Sequence, residues 1–429
     1  MTALKRRLNR IDALAVSLGA VVGVGVFFST SKVLRGTDSF LIATAVWLVV
    51  GIVNLTGAIL CADLSARIPE AGGPYAYVRV AFGRPAAFVY GWLSAGIAIP
   101  VRQAATYAAI GVALARWLPG GPRLLAVLAL LGLTGLNLAG VRAGAIAQRV
   151  FTTGKLLTLG FVIVLATVLG ATGSTEPAPL IESVSFATAV SAAWYTYLGW
   201  QDIVLLAEEL YEPRRDIPVV LVATVALTML LYIAIHIAVY VGLGGGAEAY
   251  GETPAITIAS RMLGTFGAGV LSALMVSSML GGAAEGLMVR PRIAMAMARD
   301  HMGPTLIAAV NRSGTPYGAL LFHVTITLAL VASNSFTQML PLVGFSQGLL
   351  GVFETASYFA VRRKLPALPT SRFHPWAPLV FLFASAALCI LAGLDDLTTT
   401  ALALGLIGVF SLVYAIARPR AAPDATGSP

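Results

Sequence analysis

Residues 19–27 read GAVVGVGVF, and residues 194–202 read WYTYLGWQD. Both stretches lie inside apolar segments long enough to cross a lipid bilayer, where a continuous helix would gain from alanine or leucine in place of glycine. The first carries Gly19, Gly23 and Gly25, and the second places Gly199 among polar and aromatic residues. Close packing of small residues is an alternative explanation for the first stretch alone. Together the two stretches predict helices that are interrupted at membrane depth.

The rest of the chain is equally apolar. Of its 429 residues, 58% are hydrophobic and 11% are charged, well above the apolar share of a soluble globular protein. Runs of about 20 mainly apolar residues, the length that crosses the hydrocarbon layer, occur throughout. They lie near residues 12–34, 40–62, 86–115, 122–139, 149–172, 184–207, 217–243, 264–289, 317–333, 337–361, 377–394 and 398–417. We therefore predict an all-α membrane protein with twelve transmembrane helices.

The basic residues predict how these helices are oriented. With the N-terminus inside, 21 of the 28 lysines and arginines fall in inner segments and five in outer segments. This asymmetry favours a protein of the cytoplasmic (inner) membrane, with residues 1–11 and 418–429 as its cytoplasmic ends. The basic residues are scattered along the chain rather than clustered, so a nucleic acid partner is not expected.

The sequence lacks the motifs that several enzyme classes require. It contains no HExxH pair, no CxxC ligand set and no G-x-x-x-x-G-K-[ST] phosphate loop. A membrane hydrolase would need a nucleophile and a base, and the candidate pair, His236 with Ser277 or Ser278, lacks a G-x-S-G context. We therefore expect neither an enzyme nor a cofactor or metal site. The sequence indicates no oligomeric state.

The two interrupted helices predict an internal repeat. They are the first and sixth spans, which is the spacing of an inverted repeat of five helices followed by five more. The repeats would cover residues 12–172 and 184–361, with the last two spans, 377–417, outside them. At each interruption, freed N–H groups suit a carboxylate and freed carbonyls suit an ammonium group. An α-amino acid carries both groups on one carbon, so it is the predicted ligand.

Three motifs resemble one transporter family. Residues 69–77, PEAGGPYAY, followed by Gly83, look like the P-x-A-G-G-x-Y-x-Y loop of the amino acid–polyamine–organocation (APC) superfamily, and residues 19–27 resemble its first-span signature. Residues 197–218, with the Tyr-x-Gly-Trp sequence, a Glu-Glu pair and Ile-Pro, are similar to the L-type amino acid exchangers of that superfamily. The resemblance implies the LeuT-type fold, with alternating access and discontinuous helices 1 and 6.

The resemblance also implies a substrate site made of backbone groups at the two interruptions. The residues carried over to this sequence are Gly19, Val22, Gly23, Gly25, Tyr195, Thr196, Leu198, Gly199 and Trp200. Trp194 and Tyr197 are predicted to gate the pocket, with ordinary interior aromatics as the alternative. Small residues around both interruptions favour a small, neutral substrate. Asp202 keeps a cationic amino acid or a polyamine open as the alternative.

Three ionisable residues at membrane depth are candidates for coupling. Lys155 lies about seven residues, on the order of 10 Å, inside the predicted fifth span. It either extends to the membrane surface or faces the interior, where the resemblance implies sodium independence and either proton exchange or a fixed positive charge. Glu285 and Glu354 are predicted proton carriers, and pairing with an arginine such as Arg290 is the alternative for each.

The loops on the predicted inner side suggest a gate. In relatives these loops help to close the inner gate, so the resemblance implies that Glu208 or Glu209 forms an ion pair with Arg67 or Arg79, and a solvated patch of charges is the alternative. Arg102 either pairs with an intramembrane acid or binds a second carboxylate.

The predicted function is sodium-independent, proton-coupled symport of a small neutral L-α-amino acid. Obligate amino acid exchange is the alternative, and an amino acid sensor that transports nothing is a third interpretation. The expected partners are the substrate, protons and the lipid bilayer.

Overall fold

The computed structural model describes residues 6–23, 25–37, 39–171, 185–244, 253–333, 336–366, 371–395 and 397–417. The predicted cytoplasmic tail, 418–429, lies outside these residues. Sixteen α-helices form within the described ranges. They are α1 (Arg10–Val21), α2 (Gly25–Arg35), α3 (Phe40–Arg67), α4 (Pro74–Phe82), α5 (Arg84–Trp92), α6 (Ile99–Leu114), α7 (Gly121–Leu138), α8 (Val141–Ala171), α9 (Phe186–Tyr197), α10 (Pro213–Leu243), α11 (Pro254–Val289), α12 (Arg292–Arg299), α13 (Tyr317–Ser333), α14 (Phe336–Lys364), α15 (Trp376–Asp395) and α16 (Leu397–Ala417).

Three short segments have other helical geometry. A π-helical turn over Leu93–Ala98 joins α5 to α6, and 3₁₀ helices span Trp200–Glu209 and Thr305–Ala308. The described ranges contain no β-strand beyond a single parallel bridge between Leu8 and Leu210. The predicted all-α class is therefore confirmed for the described chain.

Where the structure describes them, the twelve predicted apolar stretches lie mainly in helical segments. By length and composition, six helical segments are suited to cross a membrane, and a seventh is added when α1 and α2 are taken as one bent span. Three further apolar helices are shorter, within α13, α15 and α16. The structure thus supports a multi-pass membrane protein, and the count of twelve spans stays a prediction.

Both glycine-containing stretches coincide with helix ends. α1 ends at Val21 and α2 begins at Gly25, with an angle of 45° between the two axes. α9 ends at Tyr197, and the chain continues as a 3₁₀ helix from Trp200. The two stretches therefore leave several backbone groups without an α-helical partner.

The segment before α1 is tied to the segment after the 3₁₀ helix. The N–H groups of Arg7 and Leu8 donate to the Glu209 carbonyl at 2.8 and 3.0 Å, and the Tyr211 N–H donates to the Leu8 carbonyl at 3.1 Å. The Leu8 side chain is buried. At the start of α1, the Asn9 and Asp12 side chains cap the helix reciprocally. These bonds close one end of the molecule, which we call the N-terminal face.

Close contact between α8 and α10 depends on glycine. A Cβ atom at Gly170 would lie 2.6 Å from the Val241 carbonyl oxygen, and one at Gly242 would lie 2.7 Å from the Ala166 carbonyl oxygen. Real Cβ atoms do not approach backbone this closely, so the two helix backbones meet where side chains would separate them. Gly160, on the same helix α8, has open space around its Cα.

We predict that Gly170→Ala destabilises the protein and that Gly160→Ala does not. The first change forces α8 away from α10 at a cost of about 1–3 kcal/mol, the usual range for overpacking. The second change adds helix propensity, which contributes up to about 1 kcal/mol of stability. The measurement is the thermal unfolding midpoint of each purified variant in detergent. Equal midpoints for the two variants would contradict the packing described here.

Candidate functional site

The ends of α1 and α9 approach each other through backbone atoms. Gly199 has φ of +123°, a conformation that favours glycine, and a Cβ atom there would lie 2.8 Å from the Ala20 carbonyl oxygen. Leu198 is extended, with φ −67° and ψ 140°. Any larger residue at Gly199 would therefore both strain the backbone and separate the two helix ends.

Tyr232 of α10 connects the two helix ends. Its hydroxyl lies 2.9 Å from the Val21 carbonyl oxygen and 3.1 Å from the Thr196 carbonyl oxygen. The hydroxyl has a single proton, so it donates to one of these two carbonyls at a time. The other carbonyl can then accept from another donor. The Tyr232 ring packs between Trp47 and Tyr197, at centroid distances of 5.5 and 5.2 Å. Sequence reasoning missed Tyr232, whose single signal was a hydroxyl within an apolar run.

Two backbone N–H groups at the helix ends already have acceptors. The Val22 N–H donates to the Leu18 carbonyl at 2.7 Å, and the Leu198 N–H donates to the Tyr195 carbonyl at 3.2 Å. The Val22 N–H, which is predicted to meet the substrate carboxylate, is therefore bonded within its own helix end in this structure, because the helix end continues its local bonding for one more residue. Gly19 lies inside α1, where a Cβ atom would overlap side chains of α8.

The start of α2 keeps open donors. α2 begins at Gly25, so the N–H groups of its first turn have no acceptor within the helix. A Cβ atom at Gly25 would lie 3.7 Å from Thr196, an ordinary contact, and Gly23 has little around it. The Thr196 hydroxyl lies 2.6 Å from the Ser29 hydroxyl. This region can receive a carboxylate group.

The remaining aromatic candidates occupy different environments. Trp200 is buried, and its indole N–H donates to the Asn54 side-chain oxygen at 2.9 Å. The Tyr197 hydroxyl donates to the Trp47 carbonyl at 3.2 Å. Trp194 lines a cavity beside the helix end, whereas the Tyr195 side chain is exposed.

Lys155 faces the interior. Its side chain is buried, and the ammonium group donates to the Gly19 carbonyl at 2.6 Å. This contact joins α8 to α1 two residues before α1 ends. Of the two alternatives for Lys155, the structure therefore favours the interior position over an extension to the membrane surface.

A cavity of about 80 Å³ lies beside Leu198 and Gly199. Its walls come from α3, α4, α5, the π-helical turn, α6, α9, the 3₁₀ helix over Trp200–Glu209, α12, α14 and α15. Charged and amide side chains line part of it, among them Arg102, Asp202, Gln201 and Glu354. Glu354 is buried and accepts from the Tyr90 hydroxyl and from the Gln201 amide, each at 2.8 Å.

The charged groups at the cavity form a chain. Arg290 donates to Asp202 Oδ2 at 3.0 Å and to the Gln103 side-chain oxygen at 2.7 Å. The second guanidinium Nη of Arg290 lies 3.5 Å from Glu285, which agrees with the alternative that Glu285 pairs with this arginine. Arg102 Nη2 lies 3.9 Å from the same Asp202 oxygen. Sequence reasoning named Arg290 as a possible partner of an acid but did not place it at this site.

The predicted gate has different partners from those expected. Glu209 pairs with Arg292, and both side chains are 1% exposed. Glu208 pairs with Arg299 at 2.7 Å and also accepts from the Ala71 N–H at 3.2 Å. Both arginines come from α12, which packs against α4 and the 3₁₀ helix. Glu208 therefore joins the loop of residues 68–73, which contains Gly72 and Gly73, to α12, and Glu209 joins the end of the 3₁₀ helix to α12.

The two arginines expected in the gate pair with other acids. Arg67 pairs with Asp63 one helical turn before it, at 3.1 Å. Arg79 pairs with Glu70 and with Asp300, at 2.5 and 2.7 Å. The predicted pairing of Glu208 or Glu209 with Arg67 or Arg79 is therefore wrong: the two glutamates form ion pairs, but with other arginines, because Arg67 and Arg79 pair with acids that lie nearer to them.

Asp300, which directly follows α12, also holds Tyr75 at the start of α4, next to this loop. The Tyr75 hydroxyl donates to Asp300 Oδ2 at 2.7 Å. Burial and the Asp300 carboxylate raise the pKa of Tyr75, so this hydroxyl stays protonated and acts as a donor. The loop is thus fixed to α12 by both Glu208 and Asp300.

These features define a multi-pass membrane protein with a small polar site between two helix ends, a class typical of transporters. The amino acid permease family model matches residues 8–417, so the chain belongs to that family. The match confirms the resemblance to the APC superfamily.

Individual relatives cover most of the chain. The large neutral amino acids transporter small subunit 2 of Homo sapiens is 28% identical over 406 residues, which are 90% of this chain and 76% of the relative. The serine/threonine exchanger SteT of Bacillus subtilis is 25% identical over 408 residues, 92% of each chain. The Asc-type amino acid transporter 1 of Mus musculus is 26% identical over 416 residues, 92% of this chain and 78% of the relative.

We predict that Tyr232→Phe slows amino acid uptake while leaving the fold intact. The change removes one hydroxyl, and a single hydrogen bond contributes about 0.5–1.5 kcal/mol, which corresponds to a rate change of roughly 2- to 13-fold if the bond acts on the rate-limiting state. Tyr240→Phe on the same helix is the matched control. Initial uptake rates into proteoliposomes are compared at equal protein content. Identical rates for both variants would exclude Tyr232 from the working site.

We predict that Glu209→Gln destabilises the closed N-terminal face. The change leaves the buried Arg292 guanidinium without a carboxylate, which costs about 3–5 kcal/mol for a buried pair. Glu212→Gln is the control, since its partner Arg215 is exposed and such pairs contribute under about 1 kcal/mol. Thermal midpoints in detergent provide the comparison. Similar midpoints would show that the buried pair contributes nothing beyond its exposed counterpart.

Proposed function

We propose that the protein is a secondary active transporter that moves a small, neutral L-α-amino acid across the cytoplasmic membrane by alternating access. The observation that carries this proposal is the meeting of the α1 and α9 ends at Tyr232, next to a buried polar cavity. The open N–H groups at the start of α2 would bind the substrate carboxylate. The carbonyls of Val21 and Thr196, which share one hydroxyl proton, would accept from the substrate ammonium group.

The proposal includes the complete fold that the family implies. Twelve transmembrane helices would form a LeuT-type inverted repeat of five plus five, with residues 12–172 and 184–361 as its halves. Helices 1 and 6 would be discontinuous at the two glycine-containing stretches. Residues 377–417 would lie outside the repeat, and both termini would be cytoplasmic. The charge bias of the loops supports this orientation.

The contact between Lys155 and Gly19 supports sodium independence. The ammonium group already supplies positive charge to a carbonyl near the end of α1, where a bound cation would otherwise do so. A neutral amine in place of this ammonium would lose the charge-assisted bond and loosen α1 from α8. The Lys155 side chain is therefore proposed to couple the position of α1 to the transport cycle.

Proton symport is the proposed mode of coupling, with Glu354 as the proposed proton carrier. Glu354 forms no ion pair within the described chain, and its two hydrogen-bond donors, Tyr90 and Gln201, are neutral. A buried carboxyl group held by neutral donors can accept a proton without breaking an ion pair. Glu285 is the second candidate, although Arg290 lies close to its carboxylate.

Obligate exchange is the second candidate function. The Bacillus subtilis relative, aligned over 92% of both chains, is named a serine/threonine exchanger. Exchange requires no proton carrier, and Lys155 would then remain charged throughout the cycle. Transport of a cationic substrate, and binding of an amino acid without transport, are the two other interpretations of the sequence. The experiment below distinguishes both of them from symport and exchange.

The test is uptake of labelled alanine, serine, threonine, leucine and arginine into proteoliposomes. Uptake into empty vesicles that follows an inward proton gradient establishes symport, and we expect Glu354→Gln and Lys155→Ala to reduce it at least about tenfold, a barrier change of roughly 1.4 kcal/mol. Uptake that requires preloaded amino acid and ignores the gradient establishes exchange.

Matched controls separate coupling from damage. Glu70→Gln changes an exposed acid near the N-terminal face and is expected to retain uptake. Symport predicts that Glu354→Gln loses gradient-driven uptake but keeps counterflow, because counterflow needs no net proton movement. Absence of both uptake and counterflow with every amino acid would overturn transport and favour a sensor.

A further inference from the structure

Two opposite charges line the cavity with unused hydrogen-bonding capacity. Arg102 Nη2 lies 3.9 Å from Asp202 Oδ2, too far for a hydrogen bond. Among the described residues, the Arg102 guanidinium donates no hydrogen bond, and Asp202 Oδ1 accepts none. Both side chains are largely buried, at 13% and 12% exposed, and both line the cavity beside Leu198 and Gly199.

The other charged groups at this site already have partners. Arg290 takes the second Asp202 oxygen and the Gln103 side chain, and it lies beside Glu285. Glu354 accepts from Tyr90 and Gln201. Among the charged side chains of the cavity, the unmet capacity is therefore the donors of Arg102 and the Asp202 Oδ1 acceptor, and the indole N–H of Trp194 beside them also lacks a partner among the described residues. Buried polar groups are normally hydrogen-bonded, so this pair points to a ligand.

A carboxamide group matches this pair. Its carbonyl oxygen accepts from a guanidinium group, and its NH₂ group donates to a carboxylate. A carboxylate would meet repulsion from Asp202, and an ammonium would meet repulsion from Arg102. An aliphatic side chain would fill the space but leave the Arg102 guanidinium and Asp202 Oδ1 without hydrogen bonds. A neutral amide thus satisfies both side chains at once.

We propose that Arg102 and Asp202 form a side-chain subsite that selects amino acids with a terminal carboxamide, asparagine or glutamine. The proposal rests on the proposed transport function and names the substrate class of the same site. A cavity of about 80 Å³ holds on the order of five water molecules, which is sufficient for a carboxamide and one or two methylene groups. The subsite lies next to the α9 end, where the substrate backbone would bind.

The first experiment needs no variant. Unlabelled asparagine, aspartate, leucine, glutamine and glutamate compete with labelled alanine for uptake into proteoliposomes. Leucine has the branched shape of asparagine without its polar atoms, and aspartate replaces the amide with a charge. Of asparagine and glutamine, we expect the stronger competitor to inhibit alanine uptake at least about tenfold more strongly than its own carboxylate analogue (aspartate or glutamate) and than leucine. The reason is that the carboxylate and leucine each leave a buried polar group unpaired.

Two variants test the residues separately. Asp202→Asn keeps one acceptor oxygen, which the Arg290 donor would hold, and places an NH₂ donor in place of Oδ1. We therefore expect the preference for asparagine over aspartate to fall about tenfold or more, while Glu285 remains beside Arg290. Arg102→Gln removes the cation and should bring asparagine and leucine within about threefold of each other. Arg123→Gln, an exposed residue of α7, is the control and should keep the carboxamide preference.

The outcomes are separable from those of the transport proposal. Alanine uptake with equal competition by asparagine and leucine overturns the subsite and leaves transport intact. Retention of the carboxamide preference in Arg102→Gln also overturns it. If no amino acid is transported, thermal stabilisation of the purified protein by asparagine over leucine and aspartate supports the subsite, and its absence overturns it.

Discussion

The structure depends on backbone that meets backbone between α1 and α9. In a membrane interior, polar backbone groups need protein partners, so two helix ends can lie there only if they satisfy one another or line a cavity. Gly199 permits the approach to Ala20, and Tyr232 supplies a hydroxyl to the carbonyls on both sides. The Tyr232 hydroxyl donates to only one of the two carbonyls at a time, so the other carbonyl can accept a hydrogen bond from another donor while the helix ends stay together. A site with this property can exchange partners without unfolding.

The buried charges follow from the same constraint. Each ionisable group at membrane depth costs several kcal/mol unless it is paired, roughly 2.5–3.5 kcal/mol on insertion scales. Lys155 meets the Gly19 carbonyl, Arg290 bridges Asp202 and Glu285, and Glu354 rests on neutral donors. These contacts connect the helices that carry the site, so movement of one helix changes the charge balance of the next. Chemistry and mechanics therefore share the same residues.

The sequence predicted the helices well and the contacts between them poorly. Span length and glycine placement depend on local chemistry, so the helix ends at Val21 and Tyr197 and the interior position of Lys155 could be anticipated. The gate partners could not, because they depend on where α12 packs: Arg292 and Arg299 reach Glu209 and Glu208 before more distant arginines can.

Two further differences concern individual hydrogen bonds, some local and some between helices that are distant in sequence. The N–H groups of Val22 and Leu198 bond to carbonyls three or four residues earlier, which no pattern of residue types reveals. The role of Tyr232 depends on a crossing between helices far apart in sequence.

The bond between Leu8 and Glu209 has a consequence for biosynthesis, since about 200 residues of chain must be made before Leu8 finds its partner. The N–H groups of Arg7 and Leu8 therefore lack their Glu209 partner while the first spans are inserted. The N-terminal face closes only after the chain has been made as far as the 3₁₀ helix that ends at Glu209.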